Sequence, residues 1–320
     1  MLEKRVYDTV VIGGGLAGIS AAISCARLGS KVALIQDRPV LGGNSGSEIG
    51  VQIGGADHCN RDARETGIIE EMRIEDRYRN HEKPSPMNGR INSVWDGVLW
   101  DWVTRENNID LYLNTRAKKA NMKNSHLIES VLADQISTEK TFCLKGGMFI
   151  DASGDGAVAY SAGADFRMGR ESKDEFGETR ASEMADKYTM GSSLLFRAKD
   201  MGYPVPFKSP SWAYDFPNDE DLPFRDHSYI KNGFWWIEYG GTLNTIKDNE
   251  RIKEELLKIL FGVWDHIKNH GEHKAQNYAL DWVRSIPGKR ESRRFIGDYI
   301  LTQNDLEEHK LFPDRVAYGG

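Results

Sequence analysis

The alternation of apolar and polar positions divides this chain into a short series of predicted elements. Residues 7–12 form a β-branched run that reads as a buried strand, and it breaks at Gly13-Gly14-Gly15-Leu16-Ala17-Gly18. Small residues over 19–28 predict a closely packed helix, with Gly29 at the left-handed position after its end. Residues 31–35 predict a second parallel strand and 109–113 a third. Between these two strands, apolar residues recur at helical spacing over 61–79 (Ile68, Ile69, Met72, Ile74) and over 94–106 (Trp95, Leu99, Trp102, Val103). The tryptophans of the second helix are expected in the core.

From about 115 to 148 the pattern shortens to strand-like runs, with turn breaks at Asn124-Ser125 and Thr138-Glu139. It predicts a β-meander. Gly147-Met148-Phe149-Ile150-Asp151 then reads as a separate strand. It opens a second glycine turn, Ala152-Ser153-Gly154-Asp155-Gly156, and a small-residue helix to Gly163. Residues 166–190 are polar and charged, and Leu194-Leu195-Phe196 begins the sheet of a second domain. An aromatic-dense stretch follows, with Trp212, Tyr214, Phe216, Phe224, Tyr229, Phe234, Trp235, Trp236 and Tyr239. Helices are expected over 249–269 and around 274–283.

The first glycine turn carries chemistry because of its context. A strand precedes it, a helix follows, and a second strand closes the unit, which is the setting of a dinucleotide-binding fingerprint. Gly13 permits the tight turn, Gly15 lets backbone approach a pyrophosphate, and Gly18 brings helix and strand together. Leu16 and Ala17 stand at the helix N-terminus, where free N–H groups and the positive dipole end favour phosphate. Gln36, about 20 residues beyond the first glycine, falls at the ribose position. Gln can bond ribose hydroxyls, Asp37 is one residue on, and Arg38 leaves open a pocket tolerant of an extra phosphate. These three residues alone do not fix which dinucleotide binds.

Composition narrows the partners. The 320 residues have a net charge of −6, which argues against nonspecific nucleic-acid binding. The mean hydropathy is −0.55, and the longest apolar run near the start, Val10-Val11-Ile12, is too short for a signal peptide or a membrane span. Neither nucleic acid nor membrane is expected as a partner. The three cysteines, Cys25, Cys59 and Cys143, lack C-x-x-C spacing and cannot hold a four-cysteine iron–sulfur cluster. A cytoplasmic, reducing location is expected, with Cys25 a core filler.

Three separated motifs, Gly13-x-Gly15-x-x-Gly18, Pro39-Val40-Leu41-Gly42-Gly43-Asn44 and Ile150-Asp151-Ala152-Ser153-Gly154-Asp155-Gly156, resemble the FAD-dependent oxidoreductases with a glutathione-reductase-type FAD domain. The segment from Pro287-Gly288-Lys289-Arg290 to Tyr299 is similar to the subset that also contains the flavin subunit of heterodisulfide reductase. The resemblance implies an α/β chain: a Rossmann-like FAD-binding domain with a β-meander crossover over 1–163, and an inserted mixed α+β substrate or cap domain over 164–285. Residues 286–320 would return toward the FAD domain and are expected to be truncated, leaving a missing C-terminal segment or a partner chain to complete the site. The implied cofactor is FAD, with pyrophosphate on the Gly13–Gly18 turn and ribose at Gln36. Gly42, Gly43, Asn44, Ser45 and Ser47 would run along the pyrophosphate and isoalloxazine, and Ala152, Ser153, Gly154 and Asp155 beside the adenine side. The implied activity is hydride transfer from a small organic substrate to flavin.

Beyond the cofactor, Arg290, Arg293 and Arg294 recur at i, i+3 and i+4, as on a helix start after Pro287-Gly288. They read either as partners of reduced flavin or a substrate anion, or as a solvated face paired with Glu291. His227, Glu238 and His58 are candidate bases for a hydroxyl proton. The aromatic stretch reads equally as a substrate pocket or as second-domain core. His266, His270 and His273 resemble a metal-ligand set, the first two one helical turn apart, but no carboxylate completes an H-E-x-x-H pattern, Gly271 ends the helix and lysines flank it, so no metal is expected. Two rival readings stand beside the flavoenzyme: an NAD(P)-dependent dehydrogenase, disfavoured by the meander and second glycine turn, and a non-catalytic flavin- or substrate-binding subunit.

Overall fold

The alternation along the first strand sorts its side chains onto two faces, and each face acquires its own core. The structure, a computed structural model, describes residues 2–54, 66–80, 93–224, 230 and 235–313. Strand β1 (Leu2–Ile12) pairs in parallel with β2 (Val32–Ile35), with Val11 opposite Leu34 and Ile12 opposite Ile35. Val11, Val32 and Leu34 face one side, where α1 (Leu16–Arg27), α2 (Ile68–Arg79) and α3 (Ser93–Thr104) contribute Ile19, Ile23, Met72, Trp95 and Leu99. Trp95 and Trp102 are core residues as expected, and Cys25 packs against the same cluster. Strand β3 (Ile109–Tyr112) extends the sheet beyond β2.

Val10, Ile12, Ala33 and Ile35 face the other side. Their partners are Ala120, Val131, Ala133, Phe142 and Leu144, which belong to β4 (Thr115–Asn124), β5 (Leu127–Gln135) and β6 (Lys140–Asp151). The meander and the strand after it are not separate. β6 runs through both, pairing antiparallel with β5 and in parallel with β1, from Leu2 opposite Thr141 to Ile12 opposite Asp151. The sheet order is β3-β2-β1-β6-β5-β4. Gly146-Gly147 reads as a break in sequence, but β1 extends back to Leu2 and keeps the whole of β6 paired. At Gly146 a Cβ would lie 3.0 Å from Val10 Cγ2, so the glycine admits close packing at that crossing. This is the α/β, Rossmann-like arrangement with a meander crossover.

The chain divides into two compact units, one of Met1–Ser47, Gln52–Lys187 and Arg293–Gly320, the other of Glu48–Val51 and Tyr188–Ser292. Residues 164–187, placed by the sequence reading in the second domain, therefore group with the first. They contain β7 (Phe166–Arg167) and α5 (Lys173–Phe176), which follow the short helix α4 (Ala157–Ser161). Charge made this stretch look like a linker, yet its charged side chains are engaged: Arg170 bonds Asp186, and Arg167 pairs with Glu175.

In the second unit, β8 (Ser192–Asp200) is flanked by β9 (Trp235–Tyr239) and β10 (Tyr278–Val283), both antiparallel to it. Helix α6 (Asn249–Asn269) covers this sheet with Ile252, Leu256, Leu260, Val263, Trp264 and Ile267, a single apolar stripe. The expected helix around 274–283 is instead β10. Ala279 and Leu280 suit a helix locally, but five residues of β10 pair with β8, with a bulge between Leu280 and Trp282, and this gives the segment backbone partners that a lone helical turn lacks. Of the aromatic stretch, Phe216 and Tyr239 pack on this core as one of its two readings expects, whereas Trp212 and Phe224 are exposed. Tyr229 and Phe234 lie outside the described residues.

The return segment rejoins the first unit. Strand β11 (Arg294–Phe295) pairs with β7, and α7 (Gln303–Glu307) docks through Gln303 N to Glu178 and Asn304 Nδ2 to the Phe176 carbonyl. Hydrogen bonds from Tyr299, Lys310 and Thr302 hold the Asp305 carboxyl well below its ordinary range. Its contribution to α7 is present above the ordinary carboxylate pKa and is lost as pH falls through the depressed value. Among the described residues, no helix is long and apolar enough to cross a membrane.

Trp264 is 1% exposed and lies edge-on to Phe196 and Phe207, at 5.8 and 6.3 Å between centroids. Trp264→Ala should destabilise the second unit by about 3–5 kcal/mol, read as a fall in the urea midpoint of its far-ultraviolet transition.

Candidate functional site

At the C-terminal ends of β1 and β6 the backbone packs too closely for side chains. Gly13 has φ +105°, and a Cβ there would lie 2.2 Å from the Ala152 carbonyl oxygen. A Cβ on Gly18 would lie 1.8 Å from the Gly13 carbonyl oxygen. The first glycine thus makes the turn and the third lets α1 approach the strand, as the motif predicts. Gly15 differs. Its φ is −72° and ψ 176°, a conformation open to any residue, and its Cβ would meet only Gly43 Cα, at 3.7 Å. It is the space in front of Gly15, not its backbone conformation, that a side chain would take.

The N-terminus of α1 is bare. Gly15 is its N-cap, no side chain caps it, and its first turn holds no acidic residue. The first intrahelical bond runs from Ile19 N to Gly15 O, so the N–H groups of Leu16, Ala17 and Gly18 precede it. Opposite stands the second glycine loop, joined by a bridge between Gly15 and Gly42, with Gly42 N donating to Gly14 O at 2.7 Å. Gly42 and Gly43 have φ of +111° and +59°, and a Cβ on Gly43 would reach within 3.0 Å of Gly15 Cα. Two backbone turns therefore meet face to face at an uncapped helix end, a cradle suited to a pyrophosphate.

The side chains of the second loop hold it in shape. Ser45 Oγ donates to Gly42 O at 2.9 Å and accepts from Trp95 Nε1 at 3.3 Å. The Asp96 carboxylate accepts from Ser47 N at 2.9 Å and from Ser47 Oγ. Ser45 and Ser47, expected against the cofactor, are thus engaged with the protein, while Asn44 is exposed at the turn. Trp95 and Asp96 were not expected here. Their helix starts some 50 residues downstream of the loop, and no local pattern links the two.

Gln36 corrects the expectation most directly. It is 3% exposed. Its Oε1 accepts from Gly14 N at 2.9 Å and its Nε2 donates to Val40 O at 3.0 Å. The side chain braces the glycine turn and is not presented to a ribose, because a buried backbone N–H and carbonyl claim both ends of its amide. Asp37 and Arg38, with exposed and part-exposed side chains 3.6 Å apart, stand beside it.

The second glycine turn is organised by Asp151, which sequence reading left without a role. Its carboxylate accepts from Ser153 N (3.1 Å), Ser153 Oγ (2.6 Å), Val158 N and Ala159 N (both 2.8 Å), so it caps α4 from the preceding strand. An Asp before a Ser-Gly-Asp-Gly run is the available signal. Gly154 is exposed at φ +82°, and Gly156 admits the Phe295 ring, which would lie 1.9 Å from a Cβ there.

The three arginines do not form a helical cluster, since no helix begins after Pro287-Gly288. Arg293 stacks on Tyr160 at 3.8 Å and donates to Asp155 O at 3.0 Å, bracing the second glycine turn. Arg294 bonds Glu171 at 2.5 Å. In the second unit, Arg290 donates to Ser193 Oγ at 3.1 Å and pairs with Glu238, which brings two of the candidate catalytic residues together. His227 and His58 lie outside the described residues.

The sequence model of the FAD dependent oxidoreductases matches residues 8–320. The chain belongs to that family. FAD is therefore its cofactor, and the nicotinamide-dependent reading gives way to a flavoenzyme. Curated relatives match over short stretches: a soluble pyridine nucleotide transhydrogenase from Ectopseudomonas mendocina is 53% identical over 38 residues, 12% of this chain and 8% of that protein. A fumarate reductase (cytochrome) from Shewanella frigidimarina is 58% identical over 38 residues, 12% of this chain and 7% of that protein. The matched stretch spans less than a tenth of each of these relatives. Among solved structures, a geranylgeranyl bacteriochlorophyll reductase-like protein from Thermoplasma acidophilum is similar with a TM-score of 0.49, at 18% identity over 89% of this chain and 66% of that one.

In this FAD-dependent oxidoreductase, Gln36→Glu tests the brace. One carboxylate oxygen would replace Oε1, but the other would face the Val40 carbonyl, so the variant should lose about 1–3 kcal/mol of stability. Thermal melting of the flavin-free protein measures this. Unchanged melting with tighter FAD binding would instead mean that the side chain swings to the ribose.

Proposed function

We propose that this chain oxidises a small organic substrate and that the cradle between α1 and the Gly42-Gly43 turn holds the pyrophosphate of FAD. The observation that carries this reading is the uncapped N-terminus of α1 facing a second glycine turn, with open space where a Gly15 side chain would be. When bound, FAD supplies a flavin that accepts hydride. Leu16, Ala17 and Gly18 bind the phosphates through backbone N–H groups, supported by the dipole of α1, while Gly13, whose own N–H donates to Ile35 O, makes the turn and Gly15 keeps the approach open. Gly42, Gly43 and Asn44 line the same cradle, with Ser45 and Ser47 fixing their backbone against Trp95 and Asp96. Asp37 and Arg38 take the ribose side, with Gln36 acting behind them as a positioning residue. Ala152, Ser153, Gly154 and Asp155 form the adjoining wall, held by Asp151 from within and by Arg293 from outside.

Arg290 and Glu238 are the candidate groups for the substrate's chemistry. Arg290 offers charge-assisted donors to an anionic group, and Glu238 accepts a hydroxyl proton. Both are surface groups, and their mutual pairing keeps the guanidinium oriented by Ser193.

The purified protein should be yellow, and anaerobic addition of hydroxy acids, sugars or amines should bleach the flavin with one of these classes. A colourless protein that binds NAD would overturn the reading, and a flavin that none of them reduces would mark a non-catalytic subunit. Gly15→Val should fold, because its Cβ meets no protein atom closer than 3.7 Å, yet emerge colourless; full flavin content in this variant would displace the phosphates from α1. Arg290→Met should slow flavin reduction at least about tenfold while FAD stays bound, the loss expected when a charge-assisted contact worth about 1.5–3 kcal/mol is removed. Stopped-flow absorbance measures it.

A further inference from the structure

We infer that the second unit carries a divalent-cation site of the zinc class, formed by His266, His273 and Asp219. The three ligand atoms form a triangle. His266 Nε2 lies 3.0 Å from His273 Nε2 and 3.1 Å from Asp219 Oδ1, and His273 Nε2 lies 3.7 Å from that oxygen. A tetrahedral zinc with bonds of about 2.0–2.1 Å holds its ligand atoms roughly 3.3 Å apart, so the three observed edges bracket that length. Hydrogen bonding leaves at least one edge of such a triangle without a proton. A cation at its centre meets a lone pair from each corner.

The protonation pattern also suits a metal. His266 is fully buried, and its Nδ1 lies 2.7 Å from the Phe216 carbonyl oxygen, which can only accept. Nδ1 therefore carries the proton, and in the neutral ring Nε2 presents its lone pair to the triangle. A backbone carbonyl behind a histidine is the usual support of a metal ligand, because it fixes the tautomer and the ring plane. The His273 side chain is 8% exposed, so the nitrogens sit in a sheltered place while Asp219 closes the outer side.

A second feature is the backbone beside the ligand atoms. Gly271 has φ +67°, and a Cβ there would lie 2.8 Å from His273 Nε2 and 3.3 Å from Asp219 Oδ1. Glycine is what lets the chain turn this close to the two ligand atoms and bring His273 back onto the helix end.

Each ligand is independently positioned. His266 is in the last turn of α6, whose C-terminal dipole favours a cation. Asp219 opens a short 3-10 turn (Asp219–Asp221) fixed by a capping box between Asn218 and Asp221. Lys268 Nζ donates to the carbonyls of Ala275, Gln276 and Tyr278 at 2.8, 2.9 and 2.8 Å, tethering the loop just after His273 to the helix end. Of the three histidines, His270 stays outside the triangle: its ring stacks on His266 at 6.4 Å and turns toward Asp265. The second histidine ligand, His273, comes from beyond the Gly271 break.

The test uses the full flavin-loaded chain, stripped with EDTA and titrated with Zn²⁺ against a chromophoric chelator, and with Co²⁺ by visible absorption. His273→Gln and Asp219→Asn are the variants, chosen because His266 is buried and its loss could unfold the unit; circular dichroism in EDTA checks that both fold. Wild type should take up equimolar Zn²⁺, show intense tetrahedral Co²⁺ bands and melt at a higher temperature with Zn²⁺. Both variants should lose affinity by roughly tenfold or more, the scale seen even for changes behind a metal ligand. No equimolar uptake by wild type, or only weak octahedral Co²⁺ bands, would overturn the assignment. Unchanged affinity in both variants would overturn it too, moving the ion to the neighbouring Asp215, Asp265 and His270 group.

Discussion

The contact on which the rest of the first unit depends is backbone against backbone. At the C-terminal ends of β1 and β6 the Gly13 carbonyl occupies the space where a Gly18 side chain would begin, and the Ala152 carbonyl occupies that of Gly13. Any Cβ at either position must push the helix off the strand or the two strands apart. Such packing places the start of α1 directly over the sheet edge, in the region where parallel α/β sheets bind ligands outside their carboxyl ends. Everything else near the cradle supports it from behind. Gln36 ties the turn to the next strand end, Asp96 and Trp95 tie the second loop to α3, and Asp151 ties the third turn to α4.

Residues 7–35 were legible because their fold is local: a strand, a turn, a helix and a strand, each with its own signal; the extension of β1 back to Leu2 was not, because only pairing with β6 makes it. Helix α6 was legible to the residue, since one apolar stripe runs its whole length. What escaped were decisions made by distant partners. Residues 278–283, read as part of a helix, carry helix-compatible side chains, and the free side of β8 makes them a strand. Gln36 occupies the expected position, but its direction is decided by a backbone N–H at Gly14 and a carbonyl at Val40. The three arginines share a helical spacing with no helix beneath it, and each is drawn to a separate partner.

The same contrast applies to the chemistry. The proposed cofactor cradle is made of backbone, so glycines announce it, and they can be read from order alone. The candidate polar groups of the second unit are side chains brought together from separate segments, which no spacing rule pairs. Glu238 and Arg290 come together from β9 and the stretch after β10; His266 and His273 meet across a helix end. Sequence supplies the residue types in both cases, while the sheet and the α6 terminus supply the acquaintance.

Strand β6 has a consequence for how the chain comes to be folded. Strand β1 is made well before its parallel neighbour β6, which it meets with Val11 opposite Ile150. It can gain β2 early, but its other edge must wait until the meander has been made. Contacts this distant in sequence slow folding and leave strand edges exposed in the meantime. The outer half of β1, Leu2–Val6, has polar and charged Glu3, Lys4 and Arg5 at its centre, a composition that discourages pairing with the wrong strand during that interval. The charges that look unremarkable in the finished sheet thus act as its guard during synthesis.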